Sequence, residues 1–402
     1  MSRFLVCLIF FVVTVNGYSQ DWPQWLGPTR NGKIDDTIEP WRKPLEVAWT
    51  IPVGDGHSSP IVAQGMVFLH HKQGTGDEET LTAWDLSGKK VWEAINPRAP
   101  FKSQFGVGPR ATPSYSDGMI YSLGVTGILF CRDAATGKEI WQKNLLSEFK
   151  AKNLYFGVSS SPLVDEKNVY VMPGGELGSI VAFNKKTGEL LWKSGTDRAS
   201  YSSPTITRMD GKNLLLFQTE RGVVGLDPAT GKEQFRIPLK DLLNESSTTP
   251  VRVGDLIFAS SVTFGSIGIK LTSTEPYASQ AWKNSQLTCY FGTPVEFDGS
   301  LYAVTGQIIN PAATLHCIDP KTGQSLWSKK GVGTYHATLL RTKDKLLMME
   351  EKGDLVMLQP SQKSYEELAR SPLCRMTWAH PAYAQGILFI RDSRELKAVK
   401  LK

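Results

Sequence analysis

Short apolar stretches alternate with polar turns along most of the chain. Each unit opens with a small residue and a proline, as in SPIVAQGMVF from Ser59 and TPVRVGDLIF from Thr249. Two stretches of alternating apolar and polar residues follow, separated by a Gly or Asp turn, and this alternation predicts β-strands. The unit occurs eight times, and no segment carries the 3.6-residue period of a long helix. The chain is therefore predicted to be built from repeated antiparallel hairpins.

A second turn closes most of the units. The segments DAATGKEIW, NKKTGELLW, DPATGKEQF and DPKTGQSLW each place an Asp or Asn before an aromatic residue, and they end at Trp141, Trp192, Phe235 and Trp327. The Asp or Asn side chain bonds to nearby backbone N–H groups, and Gly adopts the positive φ of a hairpin turn. Each unit of roughly 45 residues therefore offers four short strands.

Repeated four-stranded meanders of this size predict an all-β fold, an eight-bladed β-propeller of antiparallel blades. We assign residues 46–402 to the propeller and residues 20–45 to an N-terminal lead-in segment. The last copy, from His380, has room for three strands, whereas the segment EVAWTIPV before the first copy is an unpaired strand. We expect this segment to pair with residues 396–401 and close the ring, with Trp49 at the position of the repeated tryptophan.

The N-terminus has the pattern of a secretory signal peptide. Arg3 precedes an apolar run over residues 4–15, which is too short to span a bilayer comfortably, and Gly17 and Ser19 suit a cleavage site after residue 19. We assign residues 1–19 to the signal peptide and expect a periplasmic or secreted protein with no membrane span. Cys7 lies inside the apolar run and not at its end, so we expect no lipid anchor.

Charge and cysteine content narrow the class of protein. The formal net charge is +6 without any tract of Lys or Arg, so no nucleic-acid partner is expected. Cys131 and Cys317 lie in apolar strands, where cysteine acts as a small hydrophobic residue. Cys289 and Cys374 lie in connecting segments far apart in the chain. We expect neither a disulfide nor a zinc site from these four.

The segments CRDAATGKEIW and GLDPATGKEQF resemble the pyrroloquinoline quinone (PQQ)-like propeller repeat family. The resemblance covers residues 46–402 and implies that each repeated tryptophan docks one blade against the next. The family includes a non-catalytic lipoprotein scaffold of outer-membrane protein assembly and the quinoprotein alcohol dehydrogenases. The dehydrogenases carry an adjacent Cys–Cys pair and a calcium site, and this sequence has no Cys–Cys pair. We expect no cofactor, with PQQ and calcium as the alternative.

A ligand site in a propeller is expected at one mouth of the central channel, where the loops enter the innermost strands. Most residues just before each small-residue–proline pair are Ser, Thr, Gly or Ala, as crowding near the axis requires. Large polar or aromatic residues stand out against this pattern. The candidate ligand-binding residues are His57, Arg110, Tyr201, Tyr335, His336, Trp378 and His380. No catalytic residue and no metal ligand is assigned.

Several chemistries fit these residues. His57, His336 and His380 come from neighbouring copies and could bind a transition metal, or they could only cap strand ends. Arg110 and Tyr201, with two of these histidines, could instead form a polysaccharide-cleaving site. Lysines and arginines with interleaved aromatic residues on the loops at 96–113 and 145–162 suit an anionic saccharide or an acidic peptide.

The function expected from the sequence is that of a non-catalytic scaffold. Its partner would be an envelope or extracellular protein, or an anionic saccharide, and envelope protein assembly is one setting for it. The alternative is an enzyme that uses the channel mouth, either a PQQ-dependent dehydrogenase or a polysaccharide-cleaving enzyme. Fold resemblance supports the scaffold only by analogy, because one fold serves many functions.

Overall fold

Eight four-stranded antiparallel sheets form the propeller in a computed structural model, which describes residues 21–307, 309 and 311–402. The predicted signal peptide therefore lies outside the described residues. In the first four blades, the strands from inner to outer are β2 (Ile61–Ala63), β3 (Met66–His71), β4 (Glu78–Asp85) and β5 (Lys90–Pro97); β6 (Ser114–Ser116), β7 (Met119–Leu123), β8 (Ile128–Asp133) and β9 (Glu139–Asn144); β10 (Leu163–Val164), β11 (Asn168–Val171), β12 (Ile180–Asn184) and β13 (Leu190–Ser194); and β14 (Thr205–Met209), β15 (Lys212–Thr219), β16 (Gly222–Leu226) and β17 (Glu233–Pro238).

The other four blades follow the same order. Their strands are β18 (Val251–Val253), β19 (Leu256–Ser261), β20 (Gly265–Leu271) and β21 (Ala278–Asn284); β22 (Val295–Phe297), β23 (Ser300–Thr305), β24 (Ala313–Asp319) and β25 (Gln324–Gly333); β26 (Ala337–Arg341), β27 (Leu346–Glu350), β28 (Asp354–Leu358) and β29 (Glu367–Pro372); and β30 (Ala382–Ala384), β31 (Ile387–Arg391), β32 (Glu395–Lys400) and β1 (Val47–Pro52). A four-residue helix, α1 (Leu145–Glu148), interrupts the loop from blade 2 to blade 3.

The predicted ring closure is confirmed. Strand β1 pairs antiparallel with β32, with Trp49 opposite Ala398 and Ile51 opposite Leu396. The first strand of the propeller is thus the outer strand of blade 8. This arrangement joins the two ends of the chain in one sheet, and the innermost strands β30 and β2 of blades 8 and 1 lie in contact.

In six of the eight blades a repeated tryptophan docks the blade on the turn of the next one, as the family resemblance implied. Trp92 on blade 1 donates its indole N–H to the carbonyl of Ala134 in the turn of blade 2, with an N···O distance of 2.9 Å. The glycine of that turn, Gly137, has φ +73°, and a Cβ there would stand 2.6 Å from the Trp92 ring. The T-G pair of the repeat therefore provides both a left-handed turn and a flat surface for the preceding blade's indole.

Near the axis, the small residues before the prolines link several neighbouring blades by hydrogen bonds. The backbone N–H of Ser59 donates to the Thr112 hydroxyl, the N–H of Thr112 to Ser161, and the N–H of Ser161 to Ser203. The N–H of His380 in blade 8 donates to Ser59 in blade 1. A hydroxyl at this position thus satisfies a buried N–H of the neighbouring blade, which is a second reason, beside crowding, for Ser and Thr there.

The lead-in segment runs into the central channel. Trp22 forms an antiparallel bridge with Val62 of innermost strand β2. Trp25 donates its indole N–H to Thr249, 3.1 Å away, and Arg30 donates to the carbonyls of Ser161 and Pro162. The segment therefore fills the channel and leaves an open cavity at the mouth.

Candidate functional site

A cavity of ≈ 350 Å³ opens at the mouth of the channel, above Trp25. Antiparallel connectivity places on this one face the loops that lead into every innermost strand. Six of the seven candidate residues line the cavity: His57, Arg110, Tyr201, Tyr335, Trp378 and His380. The seventh, His336, is buried behind the lining, with its ring centroid 6.4 Å from that of His380. The register of the repeat therefore located the cavity from sequence.

Aromatic rings form two walls of the cavity. On the first wall, Tyr290 stacks on Phe291 and Phe291 on Trp378, with centroid distances of 3.9 Å and 5.2 Å. His57 continues this stack on the other side of Trp378, at 5.3 Å. The second wall comes from blades 2 to 4, across the ring, and its rings meet edge to face: Phe105, Phe156 and Tyr201.

His57 and Arg110 are held by the loop before blade 2. His57 donates from Nε2 to the Phe105 carbonyl at 3.0 Å. Arg110 donates to the carbonyls of Gly108, Phe105 and Gly106. Burial, together with the positive charge of Arg110, lowers the pKa of His57 to about 4, so this imidazole is neutral at pH 7. Burial lowers the pKa of Arg110 to about 10, which leaves it charged.

Glu245 and Tyr201 are also bonded within the protein. The Tyr290 hydroxyl donates to a carboxylate oxygen of Glu245 in a short hydrogen bond, and burial raises the pKa of Glu245. The Tyr201 hydroxyl accepts the backbone N–H of Phe156 at 3.1 Å. Burial also raises the pKa of Tyr201, so this phenol stays protonated at neutral pH.

Trp378 and Tyr335 are fixed by one buried carboxylate. The Trp378 indole donates to Glu351 at 2.7 Å, and the backbone N–H groups of Thr334 and Tyr335 donate to the other oxygen of Glu351. Glu351 is 4% exposed. The polar lining thus consists largely of side chains whose hydrogen bonds shape the loops.

This geometry gives no support to a metal site built from the three histidines or to a polysaccharide-cleaving site at the channel mouth. Trp378 stacks against His57, and the ring of His336 lies beside that of His380, with a centroid distance of 6.4 Å. Within the described part of the chain, no group of three or more His, Cys, Asp or Glu side chains could hold a metal ion. Arg110 and Tyr201 bond to loop backbone and not to a shared reaction centre.

Fewer of the Lys and Arg side chains on the loops at 96–113 and 145–162 are available to a ligand than the sequence indicated. Arg98 is buried and faces the carboxylate of Glu79, with an N···O distance of 3.9 Å. Arg110 is bound to loop carbonyls, as described above. Lys102, Lys150 and Lys152 remain exposed. Among the aromatic residues of these loops, Phe105, Tyr155 and Phe156 line the cavity, whereas Phe149 is buried in a hydrophobic core cluster.

Sequence reasoning missed several lining residues. Trp25 of the lead-in forms the floor of the cavity, so Trp378 has a second tryptophan beside it at the mouth. Phe105, Phe291 and Glu245 also line the cavity. Phe291 directly follows Tyr290 before a small-residue–proline pair, so its register was a usable signal. Trp25 offered none, because it lies outside the repeat.

PQQ with calcium does not fit the residues of this cavity. Calcium takes six to eight oxygen ligands from carboxylates, amides and carbonyls. Glu245 is the one carboxylate among the described lining side chains, and it already accepts the Tyr290 hydroxyl. Cys289 is buried beside Tyr290 without a neighbouring cysteine in the sequence. The donor set therefore lacks both the calcium ligands and the Cys–Cys pair of the quinoprotein dehydrogenases.

The fold and the site define an eight-bladed propeller with a filled channel and one aromatic cavity at its mouth. The chain belongs to the family described as outer membrane protein assembly factor BamB, whose profile matches residues 77–329. It is 22% identical to the outer membrane protein assembly factor BamB of Yersinia pestis over 340 residues, which cover 79% of this chain and 81% of that protein.

Similarity to the dehydrogenases is more limited in sequence and extensive in fold. The quinoprotein ethanol dehydrogenase of Pseudomonas aeruginosa is 33% identical over 137 residues, or 31% of this chain, and the match spans 22% of that enzyme's length. Among solved structures, quinohemoprotein alcohol dehydrogenase from Comamonas testosteroni has a TM-score of 0.69 at 14% identity, covering 96% of this chain and 81% of that chain. BamB from Moraxella catarrhalis has a TM-score of 0.62 at 14% identity, covering 89% and 98%. At these identities the structural likeness establishes the fold alone.

No helix among the described residues is long and apolar enough to cross a membrane.

Proposed function

We propose that this protein is a non-catalytic scaffold of the bacterial cell envelope that binds another protein during envelope protein assembly. The observation that carries the proposal is the match to BamB of Yersinia pestis over about four-fifths of both chains. The filled channel and the donor set of the cavity support a binding role, since the polar side chains there are used to shape loops. A periplasmic location after signal-peptide removal is part of the proposal.

The mouth face is the surface that we assign to the partner. Its loops carry exposed apolar side chains, which we call the apolar rim: Phe105, Tyr155, Leu242, Leu243 and Met376. Leu242 is 80% exposed and Met376 64%. Contiguous exposed apolar side chains with polar neighbours mark protein interaction sites. Phe105, Tyr155 and Leu243 of the apolar rim also line the cavity, so one partner would cover both.

Deletion of the gene in the source organism tests this function. We expect the amount of integral outer-membrane protein to fall, and the wild-type gene to restore it. The double variant Leu242→Glu/Met376→Glu should fold but fail to restore it, because two charges would be buried on docking. Leu326→Glu is the matched control, since Leu326 is 46% exposed on an outer strand away from the mouth. Unchanged outer-membrane protein in the deletion strain would contradict the proposal.

A further inference from the structure

Two buried histidines break the small-residue pattern at the inner ends of the blades. His380 occupies the position that Ser59, Thr112, Ser161, Ser203, Thr249, Thr293 and Ala337 occupy in the other blades. His336 occupies the preceding position in blade 7, where the other blades have Ser, Thr, Ala or Gly. Each is 2% exposed. Two large polar side chains therefore stand where blade packing elsewhere requires small ones.

The rings of these two histidines have no hydrogen-bond partner. Both nitrogens of His336 and both of His380 are buried and unbonded among the described residues. His71 shows the ordinary arrangement: its Nδ1 accepts from Gly54 and its Nε2 bonds to the Thr82 hydroxyl. A buried imidazole without partners costs free energy, because its donor and its acceptor have both lost water. The site is therefore incomplete until another polar group reaches it.

His380 presents its ring to the cavity floor. It lines the cavity and meets the Trp25 ring edge to face, with a centroid distance of 4.4 Å. Burial lowers the pKa of His336 to about 4 and that of His380 well below its ordinary value, so both rings are neutral. A neutral imidazole offers one N–H donor and one nitrogen acceptor. A hydroxyl group can bond to either nitrogen, as an acceptor from the N–H or as a donor to the other nitrogen, whereas a carboxylate can only accept.

The rest of the cavity favours an aromatic ring on that hydroxyl. The first wall, from Tyr290 through Phe291 and Trp378, and the second, from Phe105 through Phe156, offer aromatic contacts on opposite sides. Stacked and edge-to-face contacts of this kind stabilise a further aromatic ring beyond its area of burial.

The polar groups of the lining argue against a polyhydroxylated sugar. The Ser159 hydroxyl donates to the Gly157 carbonyl and the Ser247 hydroxyl to the Glu245 carbonyl. The hydroxyls of Ser161 and Ser203 accept N–H groups of the neighbouring blades. Among the described lining side chains, His380 carries the buried nitrogens that have no hydrogen-bond partner. One such place suits a single hydroxyl group better than the whole edge of a sugar ring.

We propose that the mouth cavity binds a tyrosine side chain of the docked protein, with the ring between the aromatic walls and the phenol hydroxyl on the imidazole of His380. The inference rests on the proposed function, because the tyrosine must belong to a protein that covers the mouth face. The apolar rim would then contact the residues on either side of the tyrosine.

Paired peptides test the inference on the mature protein. A five-residue peptide with a central tyrosine and its phenylalanine twin would be titrated, with binding followed by the fluorescence of the lining tryptophans and by calorimetry. We expect the tyrosine peptide to bind about tenfold more tightly, as one hydrogen bond to a buried partner provides. Equal affinity of the two peptides, or no binding of either, would overturn the inference.

Variants identify the group that recognises the hydroxyl. His380→Ser copies the residue that blades 1, 3 and 4 carry at this place, and it keeps the backbone N–H that donates to Ser59. It should bind both peptides equally. His316→Ser is the control, since that histidine bonds to Thr305 and Ser325 outside the cavity, and it should keep the tyrosine preference. A preference that persists in His380→Ser would contradict the assignment.

Two further experiments distinguish tyrosine binding from the binding of other ligands, and distinguish this inference from the proposed function. Neutral and uronic-acid oligosaccharides should not compete with the tyrosine peptide, and tight saccharide binding without peptide binding would overturn the inference. The peptide titration does not depend on the cell. If the deletion strain keeps its outer-membrane proteins while the purified protein selects tyrosine, the envelope role fails and the cavity assignment stands.

Discussion

The indole N–H of Trp49 donates to the carbonyl of Leu86 across 2.9 Å, and this bond joins the first strand of the propeller to the turn of blade 1. The same strand pairs with β32 in blade 8. A Cβ on Gly88 would stand 3.1 Å from the Trp49 ring, so the contact has the same form as the other tryptophan–turn contacts. Ring closure thus depends on the same tryptophan–turn contact that docks other blades of the propeller.

Loss of the Trp49 hydrogen bond should weaken the closed ring. Trp49→Phe keeps a ring against Gly88 but leaves the Leu86 carbonyl without this donor, so we expect the free energy of unfolding to fall by about 1 kcal/mol. Urea denaturation measures it. Trp41→Phe is the control, because the Trp41 indole N–H is buried without a partner and its removal should cost less. An equal loss in both variants would show that the bond contributes nothing.

The contact between Gly137 and Trp92 should be sensitive to a single methyl group. Gly137→Ala forces a Cβ to within 2.6 Å of the Trp92 ring and also strains a residue at φ +73°. Gly118→Ala has a similar backbone strain, at φ +78°, with no atom within 4 Å of the new Cβ. We expect the first variant to lose about 2 kcal/mol more than the second, because overpacking is added to strain. Equal thermal midpoints would contradict this account of blade docking.

Arg30 should hold the lead-in segment in the channel. It is 5% exposed, and its guanidinium donates to the carbonyls of Ser161 and Pro162 in blade 3. Arg30→Met keeps an apolar stem of similar length and removes these donors, so the Ser161 carbonyl loses its partner and the Pro162 carbonyl keeps only the Ser114 hydroxyl. Limited proteolysis should then cleave residues 21–45 faster while the blades stay intact. Arg42→Met is the control, since Arg42 is exposed. An unchanged cleavage rate in Arg30→Met would show that contacts other than those of Arg30 keep the lead-in segment in the channel.

Stability should fall as the pH drops below about 6.5. Burial lowers the pKa of His70 and His71 to about 3 and that of His336 to about 4. The unfolded chain therefore binds these protons first, and the stabilisation present above pH 6.5 is lost as pH falls towards the folded-state values. Glu79 acts with the opposite sign: burial raises its pKa to about 7, so its ionisation destabilises the fold as pH rises from 4.5 to 7.

Urea midpoints at pH 7.5, 6 and 5 measure the balance between these groups. Several buried histidines oppose two carboxyls, Glu79 and Glu245, whose pKa values burial raises. Each unit of pKa shift corresponds to about 1.4 kcal/mol, and the histidines are more numerous, so the midpoint should decrease with acidity. Glu79→Gln keeps an oxygen for the Val125 N–H and removes its opposing contribution, so the decrease should become steeper. A midpoint that rises between pH 7.5 and pH 5 would contradict this sign.

Much of the fold could be predicted because its signals are local. The Asp and Gly of DAATGKEIW specify a turn within nine residues, and the small-residue–proline pair fixes the register of each innermost strand. That register also located His57, Arg110 and Trp378 at the mouth, since equivalent positions of a repeat lie at equivalent heights along one axis. Trp49 was placed by the same reasoning, because its blade lacked an outer strand.

The path of the lead-in segment and the shape of the cavity could not be predicted from local sequence signals. Trp25 reaches the cavity floor only because Arg30 and Trp22 bond to blades that follow them in the chain by many residues. The direction of the Phe105 and Phe156 side chains depends on contacts between two loops that are not part of the repeat.

The sequence by itself determined the number of blades, their register and the closure of the ring, since these depend on turn chemistry and strand periodicity repeated along the chain. Only the tertiary structure decided that His57 stacks on Trp378. It also decided that His336 and His380 lie side by side with ring nitrogens that have no hydrogen-bond partner among the described residues. The physical reason is that hydrogen bonds and packing between different blades fix a side chain's direction in a loop, and no local pattern encodes them.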